Sequence, residues 1–398
     1  MNVPQLRFKG FEGEWKETKV GEILILLKSG LSRKLSSYNI GIPVIRSTNL
    51  VNGNLDLSDL AYWYRVDDQG AKIDNYILER GDILINFINS QAQIGKSCIY
   101  TSDIEAIYTT NIFRIKTSKE KSINEYFYYW TLTERYRKEI QNIVKPAVNQ
   151  ASFTTKEFNE IKYYLPSLKE QEKVADFFTL IDKKIEKQQE KIEKLEQFKK
   201  GMMQKIFSQE LRFKDEDGGE FPEWEYKKLG QIADIIMGQS PKGENYSTDI
   251  QQTVLIQGNA DMKNGKVIPR IYTSEITKAC LPGDIIMSVR APVGEIALTD
   301  IEACIGRGVC AIRGSGYVYH YLYYFNLIKA WNSLSQGSTF ESVNGNDIKT
   351  LTIPVPSSKE QEKIAYYLTR LERKVEKEKK KLMFLSKQKK GFMQKLFI

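Results

Sequence analysis

"SLKEQEKVADFFTLIDKKIEKQQEKIEKLEQFKKGMMQKIF" runs from Ser167 to Phe207, and "SSKEQEKIAYYLTRLERKVEKEKKKLMFLSKQKKGFMQKLF" from Ser357 to Phe397. The two align without a gap at an offset of 190 positions, and about half the positions are identical. The apolar residues of the first are Val174, Phe178, Ile181, Ile185, Ile192, Leu195, Met202 and Ile206. Those of the second are Ile364, Leu368, Leu371, Val375, Leu382, Leu385, Phe392 and Leu396. Spacings that alternate between four and three form a heptad seam, so each stretch is predicted to be one long helix. Neither contains proline, and Pro166 and Pro356 stand just upstream, where a helix start tolerates them. The seam is interrupted at matching points, by Gln188 and Glu378 and by Lys199 and Lys389. Polar seam residues can fix register, but a lysine stem also lets its charge reach water, and we expect Lys199 and Lys389 to do that.

The segments before each helix also echo one another. "GEWKETKVGEI" (13–23) matches "PEWEYKKLGQI" (222–232), "ERGDILIN" (79–86) matches "LPGDIIMS" (281–288), and "EYFYYW" (125–130) matches "HYLYYF" (320–325). Between these anchors the letters differ. The scaffold is duplicated and the loops are not. The organisation read from this is a first domain at 1–166, a helix at 167–207, a second domain at 208–356 and a helix at 357–398. "LRF" recurs at 6–8 and 211–213, so the chain reads as a ring cut at one point. Two equal units about a pseudo-two-fold would pair the helices antiparallel. Pairing residues whose numbers sum to 570, such as Ile185 with Leu385, sets a-type positions against d-type positions. Within each domain, short β-branched and aromatic runs bounded by Gly, Pro and Asn read as strands, and "EYFYYWTLTERYRKEI" and "YHYLYYFNLIKAW" read as helices whose aromatics build core. The fold class is α+β.

Composition narrows the function. The chain has 398 residues, too many for one ordinary core, and a net charge of +9. The long-helix segments carry +2 and +8, leaving the remainder near neutral; any nucleic-acid contact by the domains must use local patches. We expect the basic run of the second helix to be a solvated face. No signal peptide is evident, and the longest apolar run near the N-terminus is far too short for a membrane span. Four scattered cysteines and one histidine, His320, argue against zinc, disulfides and histidine-based chemistry, and suit a reducing cytoplasm. "QIGKSC" lacks the first glycine of a phosphate-binding loop, since Ser90 stands there. No adenine-methylase motif, HExxH or convincing glycine-rich cofactor loop is present. We expect a chain without a catalytic centre or metal.

This layout resembles the DNA specificity subunit of Type I restriction–modification enzymes. The resemblance covers essentially the whole chain and rests on the two half-repeats, the proline-then-"KEQEK" entry to each helix, the "GD-I-I" strands (Gly81–Ile85, Gly283–Met287) and the "W…K-V/L-G-x-I" domain openings. It implies two target-recognition domains that each read one half of a split, asymmetric site on double-stranded DNA. The helices would form an antiparallel coiled coil that spaces the half-sites and docks two methyltransferase subunits. Two motor–nuclease restriction subunits would join them. S-adenosylmethionine, ATP and Mg2+ would be used by those partners and not by this chain.

Base reading needs planar amides and guanidinium forks: arginine for guanine, asparagine or glutamine for adenine. Loop candidates in the first domain are Arg33, Lys34, Arg46, Asn49, Asn89, Gln91, Asn149 and Gln150. Those in the second are Gln239, Lys242, Gln257, Asn259, Arg290, Arg307, Gln336 and Ser338. Each could equally be a solvated turn residue or a phosphate contact. An alternative of another class is a coiled-coil scaffold whose domains bind proteins; salt-dependent DNA binding separates the two.

Overall fold

The computed structural model describes residues 2–51, 53–146, 150–333 and 342–398. Both repeated stretches are single helices, Leu168–Phe207 and Ser358–Leu396, of 40 and 39 residues. The chain divides into two compact units, Met1–Gln189 with Lys380–Ile398, and Glu190–Lys379. Each unit therefore holds one domain, the first part of the helix that follows it, and the last part of the other helix.

The domain cores follow from strand alternation. In the first unit a four-stranded antiparallel sheet runs Leu24–Ser29, Ile112–Thr117, Ile83–Asn86, Ser97–Ile99. In the second, Asp234–Met237, Val309–Arg313, Ile285–Ser288 and Ile296–Leu298 repeat that order, extended by two short strands. The inner strands are buried on both faces. Ile83 and Ile85 join one core and Leu84 another; Ile285 and Met287 likewise part from Ile286. This is why "DILIN" and "DIIMS" read as unbroken apolar runs. A second small sheet in each unit holds a parallel pair: Ile107–Tyr108 beside Ile42–Ile45, and Ala303–Ile305 beside Thr253–Ile256.

The repeated motifs prove to be framework. In "GD", Gly81 and Gly283 adopt φ of +95° and +94°, a turn that suits glycine. The aspartates behind them are buried. Asp82 accepts the Glu79 amide at 2.7 Å and pairs with Arg114 at 2.6 Å; Asp284 accepts the Leu281 amide at 2.9 Å and a two-pronged contact from Arg313. In "KEQEK", Glu170 and Glu360 are buried and each takes a forked arginine from the preceding "LRF": Arg7 at 2.8 and 2.8 Å, Arg212 at 3.2 and 2.8 Å. Glu360 also accepts Trp224 Nε1–H at 2.9 Å. Gln171 accepts the Ile123 amide and donates to the Pro166 carbonyl; Gln361 donates to the Pro356 carbonyl. The glutamine so ties each long helix to the proline just ahead of it.

In the first unit the helices run antiparallel. Phe177 packs on Phe392 at 5.1 Å, and Lys389 pairs with Asp182 at 2.6 Å. In the second unit Lys191 pairs with Glu378 at 2.7 Å and Lys199 with Glu372 at 2.9 Å. The residue numbers of these four pairs add to 569–571, so the sequence-derived register of 570 lies among them. Val174, Phe178, Ile192, Ile206, Ile364, Leu368, Val375 and Leu396 are buried; Ile181, Ile185, Leu195, Met202, Leu371, Leu382, Leu385 and Phe392 are half-buried. Beside the two seam residues Met202 and Phe392, the neighbouring Met203 and Met393 are the buried ones, because the helix ends face a domain as well as a helix.

Three expectations need correction. Lys199 and Lys389 do not reach out to water: each is ion-paired across the helix pair and lies over a ring, Tyr323 at 4.5 Å and Tyr129 at 5.5 Å. The aromatic helices are equivalent one turn away from the sequence match. Tyr126 stands against Trp15 and Phe397 as Tyr317 stands against Trp224 and Phe207. Tyr129 meets Thr179 as His320 meets Thr369. "EYFYYW" thus corresponds to "GYVYHY" (316–321); an aromatic helix shifted by four residues keeps its apolar face, so letter matching is blind to the slip. Finally, "EYFYYWTLTERYRKEI" is two helices, Asn124–Thr131 and Glu134–Ile143, with Thr133 capping the second.

Removing one partner of a buried pair leaves the other uncompensated. Arg212→Ala is expected to destabilise the chain by about 3 kcal/mol, read as a lowered urea midpoint, and Arg7→Ala by a similar amount.

Candidate DNA interface

The sequence-derived candidates fall into groups with different chemistry. In the first unit, Arg33 lies two-pronged on Asp67, both contacts 2.7 Å. Asp67 also accepts Trp63 Nε1–H at 3.0 Å and the Ala71 amide at 2.7 Å. The Arg33 hydrogen bonds hold its carboxyl well below the usual carboxylate range. Arg46 turns to Asp59 at 2.7 Å. Asn49 is buried; its oxygen accepts the Arg46 amide at 2.8 Å and its nitrogen donates to the Asp56 and Asp59 carbonyls at 2.8 and 2.9 Å. Its amide braces the loop that carries Arg46. Lys34 is exposed.

A second group forms on a short three-stranded sheet, where Asn89 pairs with Ala151. This brings Asn89 beside Gln150, which is exposed, as is Gln91 in the adjoining turn. Asn149 lies outside the described residues, as do Gln336 and Ser338 of the second domain.

The second unit gathers its candidates more tightly. Gln257, Asn259, Arg290 and Arg307 line one open cleft of about 480 Å³, with Ser240 and Tyr246. Gln239 and Lys242 flank it on the Ser240 loop and are exposed. Backbone contacts lock the loops together. Gly306 N donates to Ile256 O at 2.8 Å, Gln239 N to Ile305 O at 2.8 Å, and Val289 N to Gly308 O at 2.9 Å. Ser240 Oγ accepts the Arg307 amide at 3.1 Å. A Cβ at Gly238 would lie 2.0 Å from Gly306 O, and one at Gly308 2.0 Å from Gln257 O. Glycine is required at both for the loops to meet. Gly30 fills the equivalent role in the first unit, against Tyr108 O. Ser240 and Tyr246 were not anticipated; the "GQS" glycine, read as a close-approach position, is the signal that could have found them.

The remaining chemistry-bearing side chains are inside. All four cysteines are buried, and burial pushes the Cys280 and Cys310 thiols up to about 11 and about 12. Burial, with Lys199 nearby, lowers His320 to about 3, so this imidazole is neutral. Among the described residues, no group of three or more His, Cys, Asp or Glu side chains could hold a metal ion, and no helix is long and apolar enough to cross a membrane. On the second helix, Lys379 pairs with Glu196 at 2.5 Å.

Framework and surface asparagines should differ in their effect on folding. Asn49→Ala is expected to cost about 2 kcal/mol, since it orphans a buried amide and two carbonyls. Asn259→Ala is expected to stay within about 0.5 kcal/mol. Urea denaturation of both variants checks the contrast.

Two repeated α+β units, each with a loop surface and an antiparallel helix pair, match known proteins over their whole length. The family model described as "Type I restriction modification DNA specificity domain" matches twice, at residues 12–197 and 222–384. The provisionally named MjaX type I restriction enzyme specificity subunit of Methanocaldococcus jannaschii is 32% identical over 396 residues, covering 96% of this chain and 92% of that protein. The MjaVIII specificity subunit of the same organism is 26% identical over 420 residues, covering 96% and 91%. Among solved structures, a chain from work on complex assembly and conformational transition of the type I R-M system superposes with a TM-score of 0.60, covering 98% of this chain and 99% of that one at 20% identity. The type I restriction–modification S subunit from M. genitalium gives 0.61, covering 100% and 99% at 15% identity. These two likenesses speak to the fold alone.

Proposed function

We propose a function that proceeds from the family: this chain belongs to the DNA specificity subunits of Type I restriction–modification systems, and it recognises DNA sequence. Each unit reads one half of a bipartite, asymmetric site on double-stranded DNA. The paired helices set the gap between the halves and dock two adenine methyltransferase subunits, which two motor–nuclease subunits join. S-adenosylmethionine, ATP and Mg2+ serve those partners, the chain itself acts without catalysis, and the complex works in the cytoplasm.

One observation carries this reading. The two units repeat much of their framework, down to the Arg7–Glu170 and Arg212–Glu360 forks, yet their loops carry different side chains in different states. Arginines of one loop surface are held by Asp67 and Asp59, while the other surface is an open cleft. A common frame with dissimilar readers suits a site whose halves differ in sequence.

The helices suit a spacer because a helix advances about 1.5 Å per residue and a heptad seam preserves its facing residues when whole heptads are added. One heptad inserted into both helices adds about 10 Å, or about three base pairs. Methylome sequencing of cells expressing the chain with its methyltransferase partner is expected to show a bipartite motif, whose gap widens by about that amount in the insertion variant. An unchanged gap contradicts the spacer role.

A further inference from the structure

We propose that the cleft of the second unit is a guanine-reading site, with Arg290 and Arg307 as its specificity-determining residues. The assignment rests on the reading that this unit binds one half-site, and it adds which bases that half contains.

The argument starts from the arginine inventory. Residues 208–356 contain five arginines. Arg212 is held by Glu360, Arg313 by Asp284, and Arg270 lies 3.8 Å from Asp261. Arg290 and Arg307 are exposed and have no acidic partner among the described residues. The two forks line the same cleft, and among the described residues no acidic side chain lines it. A charge left without a partner while every neighbouring arginine has one is available to a ligand.

Their placement favours a base over a phosphate. The Val289 amide bonds Gly308 O, which joins the Arg290 strand end to the Arg307 loop, and the Arg307 amide is fixed on Ser240. Close backbone packing at Gly238 and Gly308 prevents these loops from spreading. Phosphate neutralisation needs only a cation nearby. A guanidinium fork gains selectivity when its position is fixed, because guanine presents O6 and N7 as a matched pair of acceptors in the major groove. Gln257 and Asn259, whose amides match adenine, share the cleft. In the first unit the segments equivalent to the Arg290 and Arg307 loops, 87–96 and 109–111, contain no arginine, and Arg33 and Arg46, on the loops equivalent to those of Ser240 and Gln257, are neutralised by carboxylates, so the guanine preference belongs to the second half-site.

The test is selection of randomised duplexes by the chain assembled with its methyltransferase partner, at low and high salt. The wild type is expected to select a bipartite site with at least one fixed G·C pair in one half. Arg290→Lys and Arg307→Lys, which keep the charge and remove the fork, are expected to lower preference for such pairs about tenfold to a hundredfold in that half only. The salt slope should be unchanged. Arg33→Lys is expected to leave that half intact. Lysine variants that select the wild-type sequence, with alanine variants that flatten the salt slope by about one, would make both arginines phosphate contacts and overturn the assignment while leaving the proposed function standing. A selected half-site pair without any fixed G·C pair would overturn it too. Selection of no bipartite site would sink the proposed function and this assignment together.

Discussion

Each recognition domain is completed by the far end of the helix that belongs to the other repeat. Phe397 stacks on Phe178 and packs at a tilt against Tyr126, and Met393 and Leu396 share that core. Phe207 sits among Tyr317, Tyr321 and Tyr324, with Met203 and Ile206 beside it. This answers why "KKGMMQKIF" recurs as "KKGFMQKLF": two equivalent sockets need two equivalent plugs. Burying one such ring contributes about 1.5–3 kcal/mol, and the methionine and aliphatic neighbours add to it. A helix end that must fill a socket in one unit while its beginning is anchored in the other cannot slide along its partner helix.

The polar devices reinforce the same constraint. Lys199 with Glu372 and Lys389 with Asp182 are equivalent pairs of the 190-residue repeat, at 2.9 and 2.6 Å. Ion pairs in a helical seam add little net stability, yet they penalise every register that separates them. The buried glutamates Glu170 and Glu360 do for each helix start what the aromatic plugs do for each helix end. Repetition inside the sequence therefore marks framework, and divergence marks the surfaces free to differ. "GD", "KEQ" and "LRF" recur because a turn, a helix entry and a clamp are needed twice. The loops around Arg33 and Arg307 do not recur, which under the proposed function equips the two units for different half-sites.

Much of this was legible in the sequence. The helices, their antiparallel register and the α+β domains follow from heptad spacing, an internal repeat and runs such as "DILIN". What was illegible depends on tertiary partners. Nothing local told Lys199 that Glu372 would face it, so its long stem read as a route to water. The aromatic helix was aligned one turn off because its apolar face repeats every four residues. At the loops the sequence offered residue types, and the type alone could not separate Asn49, whose amide is used up inside the fold, from Asn259, which faces an open cleft. Nor could it show that Arg33 is occupied by Asp67, 34 residues away, while Arg290 has no acidic partner among the described residues.

The most direct measurement of the central claim is hydrogen exchange on Phe397→Ala and Phe207→Ala variants of the full chain. If each plug completes the core described here, Phe397→Ala accelerates exchange in residues 124–131 and leaves 316–327 protected, while Phe207→Ala does the reverse. Equal loosening of both aromatic helices by either substitution, or of neither, would contradict the account.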